Sequence, residues 1–245
     1  METIETIMEF IKNYFPVILA SSIISVFFIL IQLSLRQGKK RIEELKKYAK
    51  KNNFEYYESN KKFNVNKINI LGIFDQGRDD YRHVFNIILK KENRFNIYWG
   101  DHIFITGYGK FKNIHIYSFV AIDCRKLLIP GFIMQDKGVI SSFSEKIFNK
   151  QEMGFEIDNK FSQKFEIEEN DSRTNIINFF TDNVKKAFIS YIGNKKGYKV
   201  YGFNNILIVE KPGLTKTVNE NLELEQNSRR IFNIIYSEHV KENNY

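Results

Sequence analysis

A long uncharged apolar run near the start of the chain is the clearest pattern in the sequence. Residues 15–35 read FPVILASSIISVFFILIQLSL and contain no charged side chain. A helix of this length and composition can span the roughly 30 Å hydrocarbon core of a bilayer. The pattern therefore predicts a transmembrane helix at 15–35, preceded by a short extracytoplasmic head at 1–14.

A cleaved signal peptide and a buried core helix are the two alternatives for this run. A signal peptide has positive charge before a short apolar stretch, whereas Glu2, Glu5 and Glu9 outnumber Lys12 here. No A-x-A-like cleavage motif follows the run, and no later segment is comparably apolar on all sides. We therefore expect this helix to be retained as a membrane anchor.

The hydrophobic period changes after the run. Ile42, Leu45 and the pair Tyr48-Ala49 recur on one helical face, which predicts a basic juxtamembrane stalk helix at 36–53. Short runs rich in β-branched and aromatic residues follow, separated by turn-forming pieces such as KKEN, GD and YGK, as in a strand meander. They are FEYY at 54, INILGIF at 68, YRHVFNIIL at 81, FNIYWG at 95, HIFITGYG at 102, NIHIYSFVAID at 113 and LLIPGFIM at 127.

The last third mixes strands and helices. FEI at 155–157 and SQKFEIEE at 162–169 alternate like strands with one exposed face, and Ser172 offers an N-cap for a helix that Gly193 closes. A hairpin and a final helix follow.

The hairpin is predicted at 198–201 and 206–210, and a capping box at Thr217 and Glu220 opens the last helix. Because βαβ units are missing, the fold class is α+β: a mainly antiparallel, strand-rich domain at 54–240 with two helices in its C-terminal half.

Charge is concentrated next to the apolar run. Residues 36–51 carry eight bases and two acids, while residues 1–14 have a net charge of −2, so only +4 of the total +8 remains for residues 52–245. The positive-inside rule places the N-terminus outside and the domain in the cytoplasm of a single-pass cell-membrane protein. The high pI does not indicate nucleic-acid binding, because most of the excess charge can contact anionic lipid headgroups.

The basic residues predicted to contact lipid are Lys39, Lys40, Arg41, Lys46, Lys47, Lys50 and Lys51. The favoured interpretation of these residues is that they determine topology and form a solvated helix face, with specific lipid recognition as the alternative.

The order of several motifs resembles that in a family of uncharacterised prokaryotic membrane-anchored proteins. The motifs are GDHIFITGYGK at 100–110, IYSFVAI, IPGFIM, FEIDNKFSQKFEI, the helix from Ser172 and the YGFNNILIVEK hairpin. Family members have a segment like F-x-I-x-x-x-F-S-x-x-F, which is matched here by Phe155, Ile157, Phe161, Ser162 and Phe165. The resemblance covers about residues 45–238 and implies a membrane location and an α+β cytoplasmic domain, but no catalytic residue. Where members have an FDY-like tripeptide, this chain matches only at Asp101.

Motifs of known catalytic chemistry are missing from the sequence, which contains no P-loop, H-E-x-x-H, C-x-x-C or G-x-S-x-G pattern. His102 and His115 could stand on neighbouring strands, and with Asp101 or Asp123 they could form a two-histidine, one-carboxylate metal site. Hydrogen-bonded strand histidines are the favoured interpretation, so neither a metal nor another cofactor is predicted.

Other reactive or bulky side chains are interpreted as structural. Cys124 is expected to be a half-buried thiol at a strand end, and Trp99 is expected to pack in the core. The acidic pairs Asp79-Asp80 and Glu168-Glu169, and Glu223 with Glu225, are expected to be solvated.

Two classes of function remain open. The favoured hypothesis is a single-pass membrane-anchored cytoplasmic module that binds a protein or lipid partner and has no known catalytic activity. Its anchor and basic stalk imply contact with membrane lipids, and its strand-rich half could bind a peptide. The alternative is a membrane-tethered enzyme that uses the metal site at Asp101, His102 and His115.

Overall fold

The protein has an α+β fold, as the sequence predicts. A computed structural model describes residues 2–59, 83–107, 112–137, 159–169 and 172–240. The described helices are α1 (Glu2–Lys51), α2 (Asn159–Lys164), α3 (Arg173–Phe179), α4 (Asp182–Tyr191) and α5 (Val218–His239). The described strands are β1 (Glu55–Ser59), β2 (His83–Lys91), β3 (Asn96–Thr106), β4 (Asn113–Asp123), β5 (Ile129–Asp136), β6 (Phe165–Glu169), β7 (Lys199–Asn204) and β8 (Ile206–Pro212). The chain forms two compact units, Met1–Glu44 and Leu45–Tyr245.

The first unit consists of residues of α1. Its part from Val17 onward is long and apolar enough to cross a membrane, and none of its most apolar window is buried. The large apolar side chains of this window are exposed, from 47% at Leu33 to 68% at Ile24. The hydroxyl groups of Ser21 and Ser22 donate to the carbonyl of Ile18 at 2.9 and 2.8 Å. These polar groups are therefore satisfied inside the helix, as an apolar environment requires.

The second unit is built on one antiparallel sheet with the strand order β1-β2-β3-β4-β8-β7-β5-β6. One face of the sheet packs against helices, and Trp99, Val120 and Phe132 share a core there with Phe188 of α4 and Phe232 of α5. The opposite face has its own buried cluster, which consists of Val84, Ile87, Leu89, Tyr98, Phe119, Ala121, Tyr201, Ile206 and Ile208.

The last turns of α1 belong to the second unit. Leu45 and Ala49, two of the residues that define the apolar face of the predicted stalk, are 3% and 1% exposed in the main core. The predicted stalk is helical as far as Lys51 and ends in a turn at Asn52 and Asn53. Its C-terminal helical turns help to form the core of the domain.

Several predicted strands and turns differ from the structure in detail. FNIYWG and HIFITGYG, predicted as two strands around a Gly100-Asp101 turn, share the single strand β3, which pairs with β4 from Asn96 to Thr106. Tyr108 and Gly109 of the second run lie outside the described residues. Residues 162–164, predicted as the start of a strand, belong to helix α2. The runs at 68–74 and 155–157 lie outside the described residues.

The helix predicted after Ser172 is two helices. Ser172 caps α3 as expected, but α3 ends at Phe179 because Phe180 leaves helical geometry with ψ 65°. Thr181 then caps α4 by accepting a hydrogen bond from the Val184 amide. A second N-cap residue inside the apolar period was the signal for this break.

Candidate functional site

An open pocket of about 420 Å³ lies in the second unit where the ends of several elements meet. The start of β5, helix α3, the N-cap of α4, the β7–β8 turn and the end of α5 line it. Its lining residues are Leu128, Ile129, Pro130, Gly131, Asn175, Asn178, Phe179, Thr181, Phe203, Asn204, Glu238 and His239.

Local sequence features open this pocket. The pairing of β5 with β7 shifts in register between Ile129 and Phe132, where Pro130 has no N–H to donate. Across the pocket, Asn204 adopts the left-handed conformation with φ 55° in the tight turn from β7 to β8. Ile129 still pairs with Asn204, so the ladder between β5 and β7 is interrupted only between Ile129 and Phe132.

The polar wall of the pocket is organised by Glu238. One carboxylate oxygen accepts a hydrogen bond from the Thr181 hydroxyl at 3.1 Å, and the other accepts one from the Asn183 amide at 3.0 Å. The neighbouring His239 ring stacks on Phe179 and donates from Nε2 to the Phe179 carbonyl at 3.0 Å. These contacts fix the end of α5 against the α3–α4 break.

The apolar part of the pocket is accessible to a ligand. Leu128 is 80% exposed and Phe203 is 41% exposed at its rim. Side-chain amides of Asn175 and Asn178 line the same space. A wall of exposed apolar groups beside amide and carboxylate groups can hold a peptide segment, because it offers both apolar contact and hydrogen bonds.

The residues of the predicted metal site are not brought together. Asp101 and His102 are consecutive in β3, so their side chains project from opposite faces of the sheet. The Asp101 carboxylate accepts hydrogen bonds from Ser118 at 2.8 Å and from Asn86 at 2.9 Å. Nδ1 of His102 lies 3.2 Å from Glu210 instead. A metal site shared by Asp101 and His102 is therefore wrong.

His115 also has a structural partner. Its Nε2 is 2.8 Å from the Thr106 hydroxyl, and its ring stacks on Phe104, whose ring also contacts His102. Asp123, the other carboxylate considered, accepts a hydrogen bond from Asn205. Within the described ranges, no group of three His, Cys, Asp or Glu residues could hold a metal ion. Both histidines contact a neighbouring side chain, as expected, but His102 is 2% exposed and so is more buried than a surface or half-buried strand histidine.

A buried polar cluster on the second face of the sheet was missed by the sequence analysis. Glu210 is fully buried and accepts a hydrogen bond from the Tyr201 hydroxyl at 3.0 Å, besides its contact with His102. Burial, followed by the charge of Glu210, raises the pKa of Tyr201 well above its usual value. Burial lowers the pKa of the neighbouring Lys199. The available signal was the period of ILIVEK, which puts Glu210 on the same face as Ile206 and Ile208.

A second buried ion pair joins the sheet to α5. Glu225, predicted to be solvated, is 5% exposed and accepts hydrogen bonds from Lys90, from the Trp99 indole at 2.5 Å and from Arg229 at 2.7 Å. Lys90 Nζ lies 3.8 Å from the centroid of the Trp99 ring, which also stacks on Tyr48. Burial lowers the pKa of Lys90, although Glu225 opposes this shift. The predicted core position of Trp99 is confirmed at 1% exposure.

The other predicted residues have simple environments. Cys124, expected to be half-buried, is fully buried in the main core. Glu223 is exposed, as expected, and its carboxylate contacts Lys195 at 2.6 Å. Asp79 and Asp80 lie outside the described residues.

All seven bases predicted to contact lipid lie on α1. Arg41 is 8% exposed, whereas the remaining six are exposed: Lys39, Lys40, Lys46, Lys47, Lys50 and Lys51. Lys46 forms an ion pair with Glu58 of β1 at 2.6 Å. Lipid contact by this set stays a prediction.

Comparisons with known proteins add little. No protein-family model matches the chain, and no curated protein matches it. One similar solved structure is the mycobacterial trehalose monomycolate transport factor A, TtfA, with 12% sequence identity over 80% of this chain and 94% of that chain, at a TM-score of 0.49. A similarity this low carries no conclusion about function. Of the features implied by the resemblance to membrane-anchored proteins, the structure shows the α+β fold and, among the residues it describes, one candidate membrane helix.

Proposed function

We propose that this chain is a single-pass membrane protein. Its α+β domain, predicted from the sequence at 54–240, is a cytoplasmic module that binds a protein partner. The observation that carries the membrane location is the exposed apolar surface of α1 between Phe15 and Leu35. Soluble proteins rarely leave a continuous apolar surface of this size in water. A bilayer is the environment in which every side of such a helix is compatible with its surroundings.

The orientation of the protein follows from its charges. The short head before the apolar run has a net charge of −2, whereas the segment after it has +6, so the N-terminus lies outside and the domain lies in the cytoplasm. The exposed lysines of this segment, together with Arg41, are proposed to contact anionic lipid headgroups.

The pocket between β5, α3 and α5 is the proposed site for the protein partner. Its exposed Leu128 and Phe203 supply apolar contact, while the asparagine amides and Glu238 supply hydrogen-bonding groups. An extended peptide segment with an apolar side chain fits this combination. An enzyme built on Asp101, His102 and His115 is not proposed, because these residues do not converge.

Membrane extraction and a topology reporter test the location. The full-length protein should stay with membranes after alkaline extraction, and a reporter fused after Tyr245 should be active only as a cytoplasmic fusion. Release by alkali would reject the anchor. Extracytoplasmic reporter activity would instead reject the orientation.

Site-specific photo-crosslinking tests the pocket. A photoreactive phenylalanine analogue at Phe203 should form an adduct with a protein in cells, and the additional substitution Leu128→Glu should abolish that adduct. The matched control places the analogue at Lys186, which is exposed on α4. Equal adducts at both positions, or an adduct that survives Leu128→Glu, would show that the pocket is not the partner site.

A further inference from the structure

The β3–β4 pair changes from buried to exposed along its helix-bearing face. Ile97 and Trp99 are 0% and 1% exposed in the main core. The directly paired Asp101 and Ser118 come next and are also buried. Beyond this polar row the apolar pattern resumes, but the side chains there are no longer buried.

Four isoleucines form this exposed continuation. Ile103 pairs directly with Ile116, and Ile105 pairs directly with Ile114. Ile114 is 65% exposed and Ile116 is 37% exposed, while the other two are partly exposed. We call these four residues the isoleucine ladder. Because cross-strand partners are in contact, the ladder is a continuous aliphatic patch, and such a patch marks an interaction surface.

Lysines stand beside the ladder on two segments of the chain. The sequence from 102 to 122 contains no Asp or Glu, and the exposed Lys112 stands immediately before β4. At the edge of β4, the Gly213 amide donates to the Ile116 carbonyl at 2.8 Å. This bond holds the segment that contains Leu214, which is 39% exposed, and the exposed Lys216.

The last turns of α1, which belong to the second unit, contact the neighbouring strands. Tyr48 of α1 stacks on Trp99, whereas Lys46, half a turn earlier, pairs with Glu58. Glu58 precedes Ser59, which pairs with Phe85 near the His83 end of β2, and His83 itself pairs with Ile103 of the ladder. Lys46 therefore lies toward the His83 end of β2, the end that pairs with the ladder.

We propose that the isoleucine ladder inserts into the interfacial region of an anionic bilayer, with Lys112 and Lys216 against lipid phosphates. Aliphatic groups flanked by lysines match the depth profile of a membrane interface, where the apolar part enters the acyl boundary and the ammonium groups remain with the headgroups. A second copy of the chain fits less well, because a symmetric contact would bring the same basic rim against itself. This inference rests on the proposed membrane location.

Lipid quenching of a site-specific fluorophore tests the proposal on the full-length protein in nanodiscs. The single native cysteine is fully buried, so a solvatochromic thiol dye can be attached selectively to Ile114→Cys. Its emission should shift to the blue and be quenched by lipids that carry a shallow spin label when the nanodisc contains anionic lipid. The same dye at Lys186→Cys, exposed on α4, should show neither effect.

Lysine variants test whether the membrane contact of the ladder depends on charge. The possible outcomes also distinguish failure of the ladder proposal from failure of the proposed anchor. Combining Ile114→Cys with Lys112→Gln and Lys216→Gln should reduce the quenching in anionic nanodiscs to the level in zwitterionic ones. Equal emission from the dye at Ile114→Cys and at Lys186→Cys would overturn the proposal. A blue shift of the dye at Ile114→Cys without lipid quenching would also overturn it, in favour of a protein occupant. If the protein does not remain in the nanodisc at all, the proposed anchor fails; if it remains and the dye is not quenched, only the ladder proposal fails.

Discussion

Lys90 of β2 and Glu225 of α5 form an ion pair in which each side chain is only 6% exposed. The pair is enclosed by aromatic rings, since the Lys90 ammonium lies over Trp99 and 5.0 Å from the centroid of Phe54. Glu225 also accepts from the Trp99 indole and from Arg229. One carboxylate thus joins two strands and the C-terminal helix.

Removing this carboxylate should destabilise the domain strongly. Glu225→Ala leaves the Lys90 ammonium buried without its partner, and we expect a loss of about 3–5 kcal/mol in the free energy of unfolding. Urea denaturation of the full-length protein in mild detergent, read by pulse proteolysis, measures this loss. The matched control is Glu223→Ala on the same helix, whose exposed ion pair with Lys195 is worth at most about 1 kcal/mol. Equal effects of both variants would contradict the assigned role of Glu225.

Phe180 is the aromatic centre of the helix-bearing core. It is 1% exposed, and its ring lies 4.9 Å from Phe132 and 5.8 Å from Phe188 between centroids. Phe180→Ala should therefore cost about 3–5 kcal/mol through lost burial and the cavity that remains. Ile177→Ala, at a 47% exposed position of α3, should stay within about 0.5 kcal/mol of wild type in the same denaturation measurement. A negligible effect at Phe180 would refute the packing described for α3.

Gly100 is required because the Phe119 ring leaves no space for a side chain at this position, and not because the backbone turns there. A Cβ at this position would lie 2.5 Å from Cζ of Phe119, its direct partner on β4. Gly100→Ala should therefore cost about 1–3 kcal/mol through overpacking. Adding Phe119→Leu should recover part of that loss in a double-mutant cycle of unfolding free energies. Strict additivity of the two changes would mean that the ring and the glycine are not coupled.

Three tyrosines should make the domain sensitive to alkali. Burial is the largest cause that raises the pKa of Tyr98, Tyr117 and Tyr198 to about 12, from 10.0. Between these values the unfolded chain loses phenolic protons that the folded domain retains, so the stability these groups provide is fully present below pH 10 and is lost as the pH rises toward 12. Absorbance titration of phenolate should show a late-ionising class, which loses one member in Tyr117→Phe. A single ordinary titration near pH 10 in the folded protein would contradict this prediction.

The exposed lysines at the end of α1 should select anionic lipid. Replacing Lys46, Lys47, Lys50 and Lys51 by Gln removes positive charge that attracts headgroups, so the full-length protein should co-purify with less anionic lipid. Lipid mass spectrometry after gentle extraction measures this ratio, and Lys186→Gln with Lys196→Gln is the control for charge elsewhere on the surface. An unchanged ratio would leave these lysines as determinants of topology alone.

Several local elements of this protein are predictable from its sequence. The uncharged run predicts α1, the alternation in NIHIYSFVAID predicts β4, and Thr217 predicts the start of α5; the structure has each of them. These features depend on the period and the capping residues of one segment, which a single sequence contains.

Which polar residues are buried and which apolar residues are exposed depends on how the strands and helices pack together. Glu225 was predicted to be solvated, but in the structure Lys90 and Trp99 pack against it. Asp101 and His102 were considered as metal ligands, but in β3 their side chains point to opposite faces of the sheet. Conversely, Ile114 belongs to the apolar alternation of β4, yet it is 65% exposed beyond the last buried row of the sheet. The environment of a side chain is set by the elements that pack over it, and residues distant in sequence, such as 90 and 225, meet only when the whole sheet and its helices are assembled.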